Sequence, residues 1–208
     1  MQFSIDSLLD AMAGVVYLTD VDGKIVNLGR QNWNAFASAN NGEALIDGKT
    51  VLGRSVFDCV SGDEVRACYQ RCFDAILGER LEFIRVMSRC DGPTARRQLW
   101  ITMRPVQGRR RVGGLLVQVL VVSEQMRPPV DLFDFPALGV AATRHRVLPM
   151  LSICSYCHSV RFPAGSSEGE GEWMPAEDYY RKGGDSAVRV SHGLCPDCFA
   201  LTEAMLPH

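Results

Sequence analysis

Apolar residues recur at helical spacing near the start of the chain. Ile5, Leu8, Leu9 and Met12 fall on one side of a short helix, and Ser4 stands where an N-cap is wanted. The pattern then changes to runs rich in β-formers. Residues 14–19 and 24–28 flank the polar turn Asp20-Val21-Asp22-Gly23, which predicts a hairpin. A short helix is expected over 32–37, ended by Asn40-Asn41-Gly42. Residues 51–57 lead through Ser61-Gly62-Asp63-Glu64 into the clearest helix of the chain, where Val65, Cys68, Tyr69, Cys72, Phe73, Ile76 and Leu77 share one face and Gly78 closes it. Three β-like runs follow, 81–89, 98–103 and 112–122. They are separated by Cys90-Asp91-Gly92-Pro93, where Asp91 reads as a turn-former before a ligand contact, and by the arginine-rich 107–111. Two strands, helices, then three strands predict an α+β domain whose five-stranded, mainly antiparallel sheet carries helices on one face.

Beyond this domain, Pro128, Pro129, Pro136 and Pro149 mark 126–150 as a Pro-rich linker that docks on the domain rather than forming a third core. The expected division is therefore a domain at 1–125, a linker at 126–150 and a small domain at 151–208, in which Gly165 to Glu172 reads as an exposed loop. The composition, 47% hydrophobic and 22% charged over 208 residues, is that of a globular protein with a buried core. No export signal and no membrane-length apolar run are read in the sequence, so the expected setting is the cytoplasm, without membrane contact. In that reducing setting the eight cysteines point to metal ligands and buried thiols rather than disulfides. Residues 151–208 hold four Lys/Arg against eight Asp/Glu, the wrong sign for releasing counterions from nucleic acid. The run Arg109-Arg110-Arg111 is read as a solvated hairpin tip, and no helix-turn-helix pattern accompanies it.

Cys154-Ser155-Tyr156-Cys157 and Cys195-Pro196-Asp197-Cys198 are two Cys-x-x-Cys pairs with 37 residues between the inner cysteines. Each pair can place two sulfurs in one tight turn, and four sulfurs make the closed tetrahedral set of structural Zn²⁺. The long separation is tolerable because loop-closure entropy grows slowly with length. A 58-residue segment with a Gly-rich loop buries too little apolar surface alone, so a metal staple is expected. His192 and His158 are the alternative ligands, with His192 read mainly as a donor outside the sulfur set. Two rivals use the same residues. Cys154 to His158 also satisfies the covalent c-type haem pattern, which needs export and leaves Cys195 and Cys198 unexplained. A thioredoxin-like redox pair needs a strand leading into a helix at Cys154, and that setting is not read in the sequence.

The order of these motifs resembles that of a PAS domain, on residues 16–26, 51–57 and the three closing strands. The tail resembles a zinc-binding appendage of bacterial signalling proteins, through its first Cys-x-x-Cys, Trp173, Tyr179 or Tyr180, and Ser191-His192-Gly193-Leu194-Cys195-Pro196-Asp197-Cys198. The PAS resemblance implies a pocket between sheet and helices that serves a cofactor, a small molecule or nothing, with a signal passed through flanking helices or the sheet surface. Trp33, Phe36, Phe57, Tyr69, Phe73 and Trp100 are the candidate lining, set against the reading that they are simply core. Haem ligated by histidine is disfavoured, since no His precedes His145, and Cys68 and Cys72 read as small core residues rather than iron ligands. Photochemical flavin is disfavoured because Val56 stands where light-sensing relatives carry their reactive cysteine.

No nucleophile, phosphate-loop, kinase or cyclase motif is read in the sequence. The expectation is a non-enzymatic sensory or regulatory protein of bacterial signal transduction. It would act through a protein partner and form a homodimer, with Leu8, Leu9 and Met12 as the candidate seam. A redox sensor that uses the zinc thiolates and a DNA-binding transcriptional regulator are the alternative classes.

Overall fold

Ser4 caps helix α1 (Ile5–Asp10) by accepting from the Ser7 N–H at 3.1 Å. The hairpin follows as β1 (Val15–Thr19) and β2 (Ile25–Leu28), in which Asp20 Oδ1 accepts from the Asp22 and Lys24 amides to close the turn. Helix α2 (Arg30–Ala39) is longer than the sequence pattern implies. Two 3-10 turns, Glu43–Gly48 and Val56–Cys59, then lead to α3 (Asp63–Leu77). The structure, a computed structural model, describes residues 3–40, 42–109, 111–134, 148–163 and 171–207. Arg110, most of the loop expected at Gly165 to Glu172, and Pro136 with much of the expected linker lie outside the described residues.

The clearest helix of the sequence is the one that builds the core. On α3, Val65, Cys68, Cys72, Phe73, Ala75 and Ile76 are buried, and Gly78 is the C-cap. The left-handed residue after the helix is Glu79, at φ 56°, rather than the glycine. The three closing strands are β3 (Ile84–Arg89), β4 (Ala95–Gln107) and β5 (Val112–Met126), the last two longer than their apolar patterns. All pairings in this sheet are antiparallel, in the order β2-β1-β5-β4-β3. Sheet and helices together are the α+β architecture that the motif order predicts. Chain ends β1 and β5 meet in the middle of the sheet, and β3 is left at one edge. Val86, Met103, Leu115 and Val117 face Val65, Phe73 and Ile76 in one core.

The tail forms a second sheet from β6 (Met150–Cys154), β7 (Val160–Phe162), β8 (Glu172–Met174) and β9 (Arg189–Gly193), in the order β8-β7-β6-β9. Helix α4 (Ala176–Arg181) and helix α5 (Pro196–Met205) complete it. Val130, Leu132 and Phe133, within the expected linker, are buried beside Leu151, Ile153, Val160 and Tyr179 of the tail. Among the described residues no helix is long and apolar enough to cross a membrane.

Candidate metal centre

Both cysteine pairs arrive at one point because β6 and β9 run parallel, so the carboxyl ends of two strands finish side by side. In that register Cys154 lies opposite Gly193, and Ser155 N–H donates to Gly193 O at 2.9 Å. The first turn is closed by Cys154 N–H to Ser159 O at 2.8 Å and His158 N–H to Cys154 O at 2.9 Å, with His158 itself at φ 58°. In the second turn Cys195 is the N-cap of α5, Pro196 opens the helix, and one turn of helix brings Cys198 round to the same side.

The ligand sulfurs of Cys154, Cys157, Cys195 and Cys198 all lie within 4.8 Å of one another. Cys157 Sγ and Cys195 Sγ are 3.7 Å apart, and all eight cysteines are free of disulfides. A tetrahedron with metal–sulfur bonds of about 2.3 Å has edges of about 3.8 Å, so the Cys157–Cys195 distance matches one such edge and the four sulfurs could hold a metal ion. Without a cation the sulfurs compete for charge. Hydrogen bonds from Cys154 and Cys198 hold the Cys157 thiol far below the ordinary thiol range, the bonds of Cys198 to Cys154 and Cys157 push it far up, and burial pushes Cys195 up to about 11. A bound dication would let all four ionise together. The surrounding donors suit that negative cluster: Cys195 N–H reaches Cys154 Sγ at 3.4 Å, Ser159 Oγ lies 3.2 Å from Cys157 Sγ, and the amino end of α5 points at the site. Zinc held here by the four cysteines would supply a fold-closing crosslink, with no open position for chemistry. Neither histidine belongs to the sulfur set. His192 sits on β9 opposite Ile153, and His158 Nδ1 faces Asp91 at 3.9 Å.

The centre is built against the first domain rather than apart from it. Cys154, Tyr156, Leu194, Cys195, Cys198 and Leu206 share one apolar core with α3 and the sheet. Tyr156 packs edge-on against Tyr69 at 6.4 Å. Glu64 Oε2 accepts from Leu194 N–H at 3.2 Å, and Arg71 of α3 pairs with Glu203 of α5. Gly62 comes so near that a Cβ there would stand 2.4 Å from His192 O. A tail this well buried against its neighbour does not depend on the metal for all of its packing, which amends the size argument made from the sequence.

A buried ion cluster fixes the first turn. The Asp91 carboxylate is fully buried and pairs with Arg89, with Arg127 at 3.2 Å and with the Arg97 N–H at 3.2 Å. Arg89 Nη1 in turn donates to Cys157 O at 2.7 Å. His158 stacks on Phe133 at 5.3 Å, and Arg127 covers the same ring at 4.7 Å. Burial lowers the His158 pKa to about 4, so the imidazole there is neutral at pH 7. Asp91 was expected to be mainly a turn-former, whereas its burial makes it the charge around which the hairpin and the tail are assembled. Arg89-x-Asp91 is visible in the sequence, but nothing local announces Arg127 or His158 as partners.

No family model matches the sequence, and no curated protein matches it. Solved structures similar to part of the chain include a C-terminal domain from Streptococcus mutans, at 11% identity and a TM-score of 0.44, covering 59% of this chain and 92% of that one. The PAS domain of BvgS from Bordetella pertussis is 12% identical with a TM-score of 0.43, covering 56% of this chain and 82% of that one. A sensory box sensor histidine kinase from Vibrio cholerae is 17% identical with a TM-score of 0.37, covering 57% and 88%.

Of the six aromatic residues proposed to line a PAS pocket, Phe57, Tyr69 and Phe73 belong to the main core. Trp33 is edge-on to Tyr17 at 6.4 Å and donates Nε1–H to Leu45 O at 2.7 Å, while Phe36 is half-buried on the same helix. Phe57 and Phe73 meet at 5.3 Å inside the main core, and Tyr69 faces the tail. Trp100 lies towards the sheet edge, beneath the Arg85 guanidinium at 5.9 Å. Cys68 and Cys72 are core residues of α3, and burial pushes the Cys72 thiol up to about 12. Leu9 of the expected dimer seam is buried within its own chain, whereas Leu8 is 54% exposed.

Proposed function

We propose that the chain is a non-enzymatic signalling regulator, a PAS-like sensor whose zinc-bearing tail is clamped across α3 and the β3–β4 hairpin, and that it acts by contact with another protein. The observation that carries this is the four-sulfur cluster built into the core that α3 shares with the tail. A closed sulfur set with no open position supports a structural ion, and its placement supports a metal that sets the posture of the tail on the sensor domain. The cytoplasmic setting, the homodimer and the small-molecule ligand belong to the same reading.

The test is elemental analysis joined to hydrogen exchange. One zinc per chain is expected, and chelation should expose amides of α5, β9 and the tail-facing turns of α3 together. Absence of stoichiometric zinc, or unchanged exchange in α3 after metal removal, refutes the reading.

A redox reading has one observation in its favour: Cys157 is less buried than the other three sulfurs and borders an open groove. Peroxide would take two thiolates and two protons to a disulfide and two waters, releasing the ion. Zinc retained after stoichiometric peroxide excludes it.

A further inference from the structure

Strand β3 is the free edge of the five-stranded sheet, and beside it runs a groove of 460 Å³ whose opposite wall is α5. Met87, Trp100, Tyr156, Leu201 and Met205 make its apolar surface, and every residue from Arg85 to Arg89 borders it. Leu201 is 66% exposed and Met87 49%, large apolar groups left facing water. Cys157 and Cys198 form part of the floor, so the groove exists only while the tail is clamped.

The strand edge decides what fits. Cys90 N–H donates to Arg97 O, and the β3–β4 register runs unbroken from there to Ile84. In an antiparallel ladder the direction of the backbone groups alternates, so the N–H and C=O of Arg85 and Met87 point away from β4, into the groove. Among the described residues β3 has no second strand neighbour. The adjoining charges are also one-sided. Arg85 and Arg104 are exposed and contact the rings of Trp100 and Phe83 at 5.9 and 4.6 Å, and among the described residues neither has a carboxylate partner. A second copy of β3 fits poorly, because antiparallel pairing about Met87 sets Arg85 opposite Arg89.

We propose that this groove is a docking site for an extended segment of a partner protein, in which acidic residues alternate with apolar ones. The segment adds to β3 as a sixth strand. Its apolar side chains face Leu201 and Met205 of α5, and its carboxylates lie on the opposite face, where Arg85 and Arg104 are. This rests on the reading of the chain as a regulator that acts by contact, and it makes the zinc tail one wall of the contact site.

The test uses the full-length, zinc-loaded chain and fluorescein-labelled nine-residue peptides in which glutamate alternates with valine, leucine or phenylalanine, followed by fluorescence anisotropy at low salt. Saturable binding of at least one peptide is expected. Methylating its strand-facing amide nitrogens, or exchanging glutamate for lysine, should each weaken binding tenfold or more. Met87→Pro removes an outward N–H without touching the β4 ladder, and Leu201→Glu charges the opposite wall. Each should weaken binding at least tenfold while zinc content and melting temperature stay as in the parent. No binding by any of the peptides, binding unaffected by backbone methylation, or self-association abolished by Met87→Pro would overturn the proposal. Zinc is measured in the same samples. A chain that holds one zinc but binds no peptide overturns the groove alone, and a zinc-free chain that still binds overturns the metal reading alone.

Discussion

Asn in place of Asp91 removes one charge from the centre of the ion cluster while keeping the shape of the side chain. The oxygen left behind can still accept from the Arg97 N–H, now at 3.2 Å. What is lost is the anion between Arg89 and Arg127, whose side chains are 20% and 9% exposed. Breaking a buried pair by removing one partner costs about 3–5 kcal/mol, because the remaining charge is stranded. Two contacts soften that here: Arg127 keeps Glu177 at 3.3 Å and Arg89 keeps Cys157 O at 2.7 Å. The expected loss is therefore at the low end, about 3 kcal/mol. With a urea slope of about 2 kcal/mol/M this moves the unfolding midpoint down by about 1.5 M, slope unchanged. Because Arg89 also holds the first cysteine turn, zinc transfer to a colorimetric chelator should be faster in the same variant. A midpoint shift below about 0.3 M, or unchanged zinc release, would refute the role given to this carboxylate. Replacing Asp91 and Arg127 together by apolar residues should recover part of the loss, since the second stranded charge is gone.

Other substitutions separate packing from surface charge. Tyr156→Ala empties a nearly buried site between α3 and the tail and should cost about 3 kcal/mol in urea unfolding. Arg71→Ala removes an ion pair whose side chains are 50% and 35% exposed, so the urea midpoint should stay close to that of the parent. Gly62→Ala meets both a φ of 88° and the nearby His192 carbonyl, so it should destabilise by more than about 1 kcal/mol, read as a lower melting temperature with α3 helicity retained. Native alkylation with iodoacetamide followed by peptide mass mapping should label the exposed Cys59 first, and leave Cys68 and Cys72 untouched until the chain unfolds.

The sheet and α3 were legible because their information is local. Residues 65–77 repeat their apolar positions every three or four residues, and the strands are bounded by Gly, Asp and Pro turns, so element types follow from the sequence alone. The sulfur set was legible for a different reason: two Cys-x-x-Cys turns carry their own geometry, and only the parallel pairing of β6 with β9 was needed to bring them together. What stayed hidden is how the two parts meet. Tyr156 and Leu194 read as ordinary knuckle residues, and Glu64 as an ordinary first-turn acid. Their contacts join residues more than 85 positions apart, as the 130-residue separation of Glu64 and Leu194 illustrates.

The same holds for Asp91. In a turn sequence its carboxylate has several local uses, and only the fold decides that Arg127 arrives from the end of β5 and His158 from the tail. That decision has a mechanical consequence. The β3–β4 hairpin, the end of β5 and the first cysteine turn share one buried charge cluster, while α3 and the second cysteine turn share the Glu64 and Gly62 contacts. A strain arising in the sheet reaches the sulfur site through one turn, and a strain arising in α3 reaches it through the other. A crosslink across both turns makes them respond together, whereas its removal leaves each to move with its own half of the first domain.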